Sequence, residues 1–335
     1  MKTNLDIDFV IPWVDGSDPE WIKEFNKYAP LEKQLAEDSS KERYRDMGLL
    51  RYWFRGVEKF APWVRKVHFI TNGQKPNWLN LNAPKLHWVK HEDYIRAEYL
   101  PTFSSHPIEV GMRAIKDLTE HFVYFNDDFY LTSNVEKEFF FKKGLPCDSA
   151  ILNAFPPDDF VSHILMNDIE IINKNFSKHY IMKKKFLKWF SLSYGKSLVR
   201  TFSLLPWPDF TGFHVTHLPQ SFLKSTLDEV WEKEKETLEK TMSHKFRGIT
   251  DVNQWLFRFW ALCKGEFIPQ SPTKYKKYFS FENSVEEICG AIKNQKYKEI
   301  AINDCGKNSE NFDFYMKEIA KAFEEILPEK SSFEL

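Results

Sequence analysis

The chain has little cysteine for its 335 residues. Cys147, Cys263, Cys289 and Cys305 stand far apart with no CxxC pair, which excludes a disulfide framework and a zinc knuckle. Long apolar runs are also missing: none approaches the roughly 20 residues that a membrane-spanning helix needs. The first residues, Met1 to Asp8, are polar, and the short apolar stretch after them is interrupted by Asp15. That pattern is not a signal peptide, and the expectation is a cytoplasmic protein. Charge of one sign is missing too. The 47 Lys and Arg against 48 Asp and Glu leave a net charge of −1, so no global field draws nucleic acid and any basic site is local. There are no internal repeats and no low-complexity segments.

What is present is apolar and aromatic. The hydrophobic fraction of 42% and the 31 Phe and 11 Trp bury a real core and exclude a disordered chain. Short apolar runs at Phe9–Val14, Val67–Thr71, Leu86–Val89 and Phe122–Phe125 read as strands. Helical spacing follows from Pro19, over Leu49–Phe60 and over Ile108–Leu118. Strand alternating with helix predicts an α/β sheet. Three strands end in polar turns, Asp15-Gly16, Asn72-Gly73 and Asn126-Asp127-Asp128. If the strands are parallel, these turns share one edge, where α/β proteins bind ligands. Beyond residue 150 the pattern becomes mostly helical, with helices over Leu227–Leu238, Val252–Leu262, Ser284 to about Lys293, and a last one that Pro328 stops. One short strand, Ile300–Ile302, ends in Asn303-Asp304.

Asn126-Asp127-Asp128 is the most pointed motif. Adjacent carboxylates repel unless a cation or proton is shared between them. Hard cations take oxygen ligands and work with substrate phosphates, so a metal-assisted phosphate site is one reading. An Asp-rich turn is the other. Arginines gather at Arg43, Arg45, Arg51, Arg55 and Arg65. Arg51 and Arg55 share a helix face, and guanidinium suits phosphate, although a plain surface helix also fits. His214 and His217 are spaced to meet one metal, or a single histidine beside Pro219 serves as general base. Finally, residues 171–208 contain no Asp or Glu but eight Lys or Arg, with Phe186, Leu187, Trp189 and Phe190 interleaved. This fits either a face that meets anionic lipid or polymer or a solvated helix face.

Four blocks in order resemble the Stealth family of sugar-phosphate transferases. They are Ile7 to Pro19, Arg43 to Leu79, Leu100 through Ile108-Glu109 to Asp128, and a short piece at Ile302-Asn303-Asp304. Bacterial members are capsular polysaccharide phosphotransferases, and the catalytic region of the lysosomal-enzyme N-acetylglucosamine-1-phosphotransferase is similar. Pro12 stands where a Thr is usual and Trp53-Phe54 where a Ser-Leu pair is usual, but the charged positions are kept.

The resemblance implies a Rossmann-like mixed sheet related to nucleotide-sugar transferases. Residues 1–150 would form the nucleotide-sugar-binding core and 151–335 a helical elaboration, or the two would form one continuous catalytic domain. It implies that a UDP-sugar gives sugar 1-phosphate to a hydroxyl of a free or lipid-linked glycan, and that UMP leaves. Asp15, Gly16, Arg45, Arg51, Asn72 and Asn303 are then nucleotide or phosphate residues. Mg²⁺ or Mn²⁺ would sit on Asp128 with Asp127 or Asp304. His217, or one of the Asp pair, would take the hydroxyl proton, and Arg51 and Arg247 would neutralise charge on the phosphoryl group. A metal-dependent glycosyltransferase releasing UDP, and a non-catalytic glycan-binding protein, are the alternatives. Residues 171–208 would touch the inner membrane face.

Overall fold

The computed structural model describes residues 5–30, 44, 46–156, 160–304 and 311–335. Its strands are β1 Ile7–Pro12, β2 Val67–Thr71, β3 Leu86–Lys90, β4 His121–Tyr124, β5 Phe129–Leu131, β6 Phe141–Lys142, β7 Leu145–Asp148, β8 Gln220–Leu223, β9 Ile268–Pro269, β10 Lys276–Ser280 and β11 Glu299–Asn303. The helices that frame the site are α1 Pro19–Tyr28, α2 Leu50–Phe60 and α3 Ser105–Gly111.

The main sheet has the order β3-β2-β1-β4-β8. β1, β2, β3 and β4 run parallel, and β8 lies antiparallel to β4 at the edge. A mainly parallel sheet needs cover on both faces, and the alternation of side chains shows how it is obtained. Ile7, Phe9 and Ile11 of β1, with Val123 of β4, enter a core completed by α2 and by the C-terminal Phe312, Ile319 and Phe323. Val10, Phe122 and Tyr124 point the other way, into a core with Leu256, Phe259 and Trp260. Each core thus draws on residues from both halves of the chain. Asp8 is the polar exception on β1. It is fully buried but bonded by Arg65, His68 and the Thr119 N–H.

The expected mixed α/β sheet is therefore present, and the polar turns after β1, β2 and β4 lie at one sheet edge. The direction of chain advance reverses between β1 and β4, and this switch point is where open α/β sheets bind ligands. At β5 the chain leaves the main sheet for a second one, of order β10-β11-β5, in which β5 is antiparallel to β11.

Some expected elements differ. The helix over Ile108–Leu118 ends at Gly111, tightens into one 3₁₀ turn and gives way to Asp117 at φ 63°. Gly111 packs so closely on Tyr94 that a Cβ would stand 3.1 Å from the ring, and Asp117 is drawn into ion pairs with Arg65 and Lys66. The helix over Leu227–Leu238 breaks at Glu234. There the buried carboxylate accepts from Lys174 and Asn175. None of the strands from β5 to β10 was expected. Among the described residues no helix is long and apolar enough to cross a membrane.

Candidate active site

A cleft of about 320 Å³ opens at the switch point, lined in part by Trp13, Asn72, Asn126, Asp127, His217 and Arg247. Its geometry follows from strand pairing. Tyr124 on β4 faces Gln220 on β8 in antiparallel register. Asp127 lies three residues beyond Tyr124 and His217 three before Gln220, so the two loops run out side by side. The second sheet adds the third wall. The Ile302 N–H donates to the Asp128 carbonyl at 2.9 Å, which sets Asn303, the last residue of β11, beside the Asp128 side chain.

Three groups meet there. His217 Nε2 lies 2.9 Å from Asp128 Oδ2, and Asn303 Nδ2 donates to the same oxygen at 3.1 Å. Asp128 is buried, and its Oδ1 has no hydrogen-bond partner among the described residues. Phe129 and Tyr278 meet the imidazole edge-on, with ring centroids 4.9 and 5.7 Å away. Burial pulls the His217 pKa down, but Asp128 and then Asp127 outweigh it, and the net shift is upward. Asp127 reaches the solvent of the cleft but is crowded by protein. That desolvation, with repulsion from Asp128 and Asp46, raises its carboxyl to about 7.

The other anticipated residues lie around this centre. Asp15 accepts from the N–H and hydroxyl of Ser17 at 2.9 and 2.6 Å. Gln74 ties the two loops together, accepting from the Asp15 N–H and donating to its carbonyl. Gly16 is there for close approach: a Cβ would fall 2.3 Å from the Tyr44 Cβ. Asn72 lines the cleft and its side chain accepts from the Gln74 N–H. Arg247 also lines it and donates to the Ser105 hydroxyl at 3.2 Å; among the described lining residues it is the one Arg or Lys. Asp304 follows Asn303, half-exposed. Arg45 lies outside the described residues.

Arg51 is exposed outside the described cleft lining, its guanidinium 5.4 Å from the Trp78 ring. The anion demanded by Arg55 is supplied by the protein itself, as Glu334 and Glu324. His214 does not join His217. Its backbone pairs with Ile151 and Arg258, and burial, chiefly, takes its pKa down to about 4. Among the described residues no group of three or more His, Cys, Asp or Glu is arranged to hold a metal.

Sequence reasoning missed three features. Asp46 accepts from the Trp13 indole at 3.3 Å and raises the Asp127 carboxyl, although only the neighbouring arginine drew attention. Glu109 and Gln254 form a buried polar wall: Glu109 accepts from the Tyr124 hydroxyl and the Gln254 N–H. His106 and His244 grip opposite oxygens of buried Asp251, at 2.7 and 2.5 Å. Asp251 also takes the Gly248 N–H, which pins the loop that carries Arg247. Histidine and aspartate 145 residues apart give no local signal.

Fold and site together define an α/β protein with a polar cleft at its sheet's switch point. Stealth protein CR1, conserved region 1, matches residues 5–30, and Stealth protein CR2, conserved region 2, matches residues 43–147. The chain is 44% identical over 335 residues to the capsular polysaccharide phosphotransferase WcwK of Streptococcus pneumoniae, covering 100% of this chain and 99% of that one. It is 40% identical to the receptor polysaccharide phosphotransferase WefC of Streptococcus oralis, covering 98% and 99%. Identity to the exopolysaccharide phosphotransferase cps2G of Lactiplantibacillus plantarum is 38%, over 98% and 96%. The chain belongs to the Stealth family of polysaccharide phosphotransferases.

Proposed function

We propose that the chain transfers sugar 1-phosphate from a UDP-sugar to a hydroxyl of a growing, lipid-carried cell-surface glycan and releases UMP. The observation that carries this reading is the bond from His217 Nε2 to Asp128 Oδ2 in the switch-point cleft. With Nε2–H held by the carboxylate, Nδ1 is the nitrogen left to accept a proton. An imidazole oriented by a carboxylate is a suitable general base. The acceptor oxygen attacks the phosphorus that bears the sugar and its proton passes to His217. The bond from that phosphorus to the bridging oxygen breaks, and UMP departs with the electron pair. Arg247 faces the charge on the transferred group. Asp15, Gly16 and Asn72 form the loops on the nucleotide side. Such reactions depend chiefly on positioning and charge stabilisation.

Mg²⁺ or Mn²⁺ fits these residues in one form. Asp128 Oδ1 is a buried oxygen without a partner among the described residues, beside a second carboxylate whose proton affinity is raised by crowding. Mg²⁺ is commonly held by one or two carboxylates together with waters and substrate phosphates. Asp128 and Asp127 would hold it, with waters and substrate oxygens completing its shell, and it would neutralise diphosphate charge.

The test is incubation of the protein with a panel of UDP-sugars, Mg²⁺ and glycan acceptors. UMP with sugar phosphate on the acceptor is expected. Release of UDP would replace this reading with glycosyl transfer, and neither product, without metal-dependent nucleotide-sugar binding, would leave a glycan-binding protein.

A further inference from the structure

Large apolar side chains should be buried, and an exposed group of them on a soluble-sized chain marks an interaction surface. Here they concentrate. Tyr180, Phe186, Leu187, Leu192, Phe202 and Trp207 are each more than half exposed, and Val199 is as well. All seven lie within 28 residues of sequence. Ring contacts and hydrogen bonds hold parts of this segment together. Phe186 packs on Phe190, with ring centroids 4.7 Å apart, and Phe190 on Phe202 at 5.4 Å. Lys178 donates to the carbonyls of Leu204 and Trp207 at 2.6 and 2.7 Å, which fastens the start of this segment to its end.

The half-buried Lys185 aside, the cations on the segment divide into two sets. Lys178 is buried under those carbonyls, and Lys188 donates to the carbonyls of Gly265 and Phe267; both build the platform. Lys183, Lys184, Lys196 and Arg200 are exposed among the apolar side chains. No Asp or Glu occurs from 171 to 208. A partner protein needs shape and mixed polarity, whereas exposed aromatic and Leu side chains interleaved in sequence with Lys and Arg match the boundary of a lipid monolayer with anionic headgroups.

We infer that the 178–207 platform is a membrane-docking surface that inserts Leu187, Leu192, Phe202 and Trp207 into an anionic lipid monolayer. This surface is separate from the His217–Asp128 cleft, and its test does not depend on the transferred group. The full-length protein is sedimented with phosphatidylcholine vesicles and with vesicles containing phosphatidylglycerol. Co-sedimentation with the anionic vesicles is expected, falling steeply as salt rises, with only weak binding to the neutral ones. Leu187 and Leu192 are 83% and 90% exposed, so L187S/L192S keeps the fold. It should lower vesicle affinity at least tenfold with an unchanged urea midpoint. Lys183→Glu/Lys184→Glu should do the same, because each cation near an anionic surface contributes about a factor of five. Turnover of a short soluble acceptor stays unchanged in both variants.

Three results would overturn the inference. One is no binding to anionic vesicles at low salt. Another is binding insensitive to L187S/L192S, which would indicate a purely electrostatic polyanion site. The last is a parent dimer, seen by light scattering, that L187S/L192S converts to monomer, which would assign the surface to a second copy of the chain.

Discussion

Asp128 and His217 form a coupled pair, and the coupling has measurable consequences. The charge of Asp128 raises the proton affinity of His217. A raised histidine keeps its proton to higher pH, so the base is formed only above the ordinary value near 6.5. In Asp128→Asn that electrostatic support is gone while burial remains, and the His217 titration should move to lower pH. The carbon-bound proton resonances of His217, followed by NMR against pH, read this without needing activity; an unmoved titration would sever the pair. Turnover by His217→Gln or Asp128→Asn should fall on the order of a hundredfold or more. Asp127 gives the opposite kind of prediction. Its carboxyl titrates at about 7 in the folded chain and near 3.9 unfolded. Between these values the folded state binds the extra proton, so stability falls as pH rises through that window. Asp127→Asn removes the penalty. Without divalent cations, its urea midpoint should equal or exceed that of the parent at pH 8 and lie closer to it at pH 4, even as turnover is lost. A variant less stable than the parent at pH 8 would contradict the assignment.

At the scale of elements, the site is a meeting of loops that only strand pairing brings together. The strands β1, β2, β4 and β11 were legible because each is a short apolar run stopped by polar turn residues. The polar ends of β1, β2 and β4 therefore identified Asp15, Asn72, Asp127 and Asp128 as neighbours of one edge, whereas Asn303, on the second sheet, came from the family resemblance. β8 was not legible: Gln220 and Ser221 are buried in it, so it lacks an apolar signature, and its pairing with β4 is what carries His217 to Asp128. The buckle of His106, His244 and Asp251 was hidden for the same reason, since its parts come from distant segments. Its two imidazoles more than offset burial and hold the Asp251 carboxyl below the usual range. The buckle fastens the Arg247 loop to α3, and this makes Asp251 a positioning residue. Asp251→Asn should cost turnover in the same sense as Arg247→Ala. If Asp251 works through Arg247, the double variant is little worse than Arg247→Ala alone. Full additivity in that cycle would mean that Asp251 supports the fold and nothing more.

For the whole molecule, the two ends of the chain are one structure. Arg55 in α2 is buried. Its Nε donates to Glu334 Oε1 at 2.8 Å, one Nη to Glu324 at 3.0 Å, and the same group to the Leu327 carbonyl. Phe333 packs on Phe54 in the core that also holds Ile7 and Val123. The guanidinium that the sequence suggested for phosphate thus clamps the C-terminal segment to the helix beside the site. Arg55→Met keeps the volume but strands the buried Glu334 carboxylate, and breaking a buried pair in this way costs about 3–5 kcal/mol. Because cores on both faces of the sheet mix early and late residues, the loss should be felt everywhere at once. Far-ultraviolet circular dichroism and tryptophan fluorescence should still report a single coincident urea transition, at lower denaturant than in the parent. Two separated transitions would show that the halves unfold independently. Lowering the pH tests the same clamp from the other side. Arg55 and the Ser331 N–H outweigh burial and hold the Glu334 carboxyl below its ordinary value, so its contribution is present above the unfolded pKa and lost as pH falls through the folded one. Arg55→Met should therefore lose less stability than the parent between pH 6 and pH 3, and the gap between their urea midpoints should narrow on acidification.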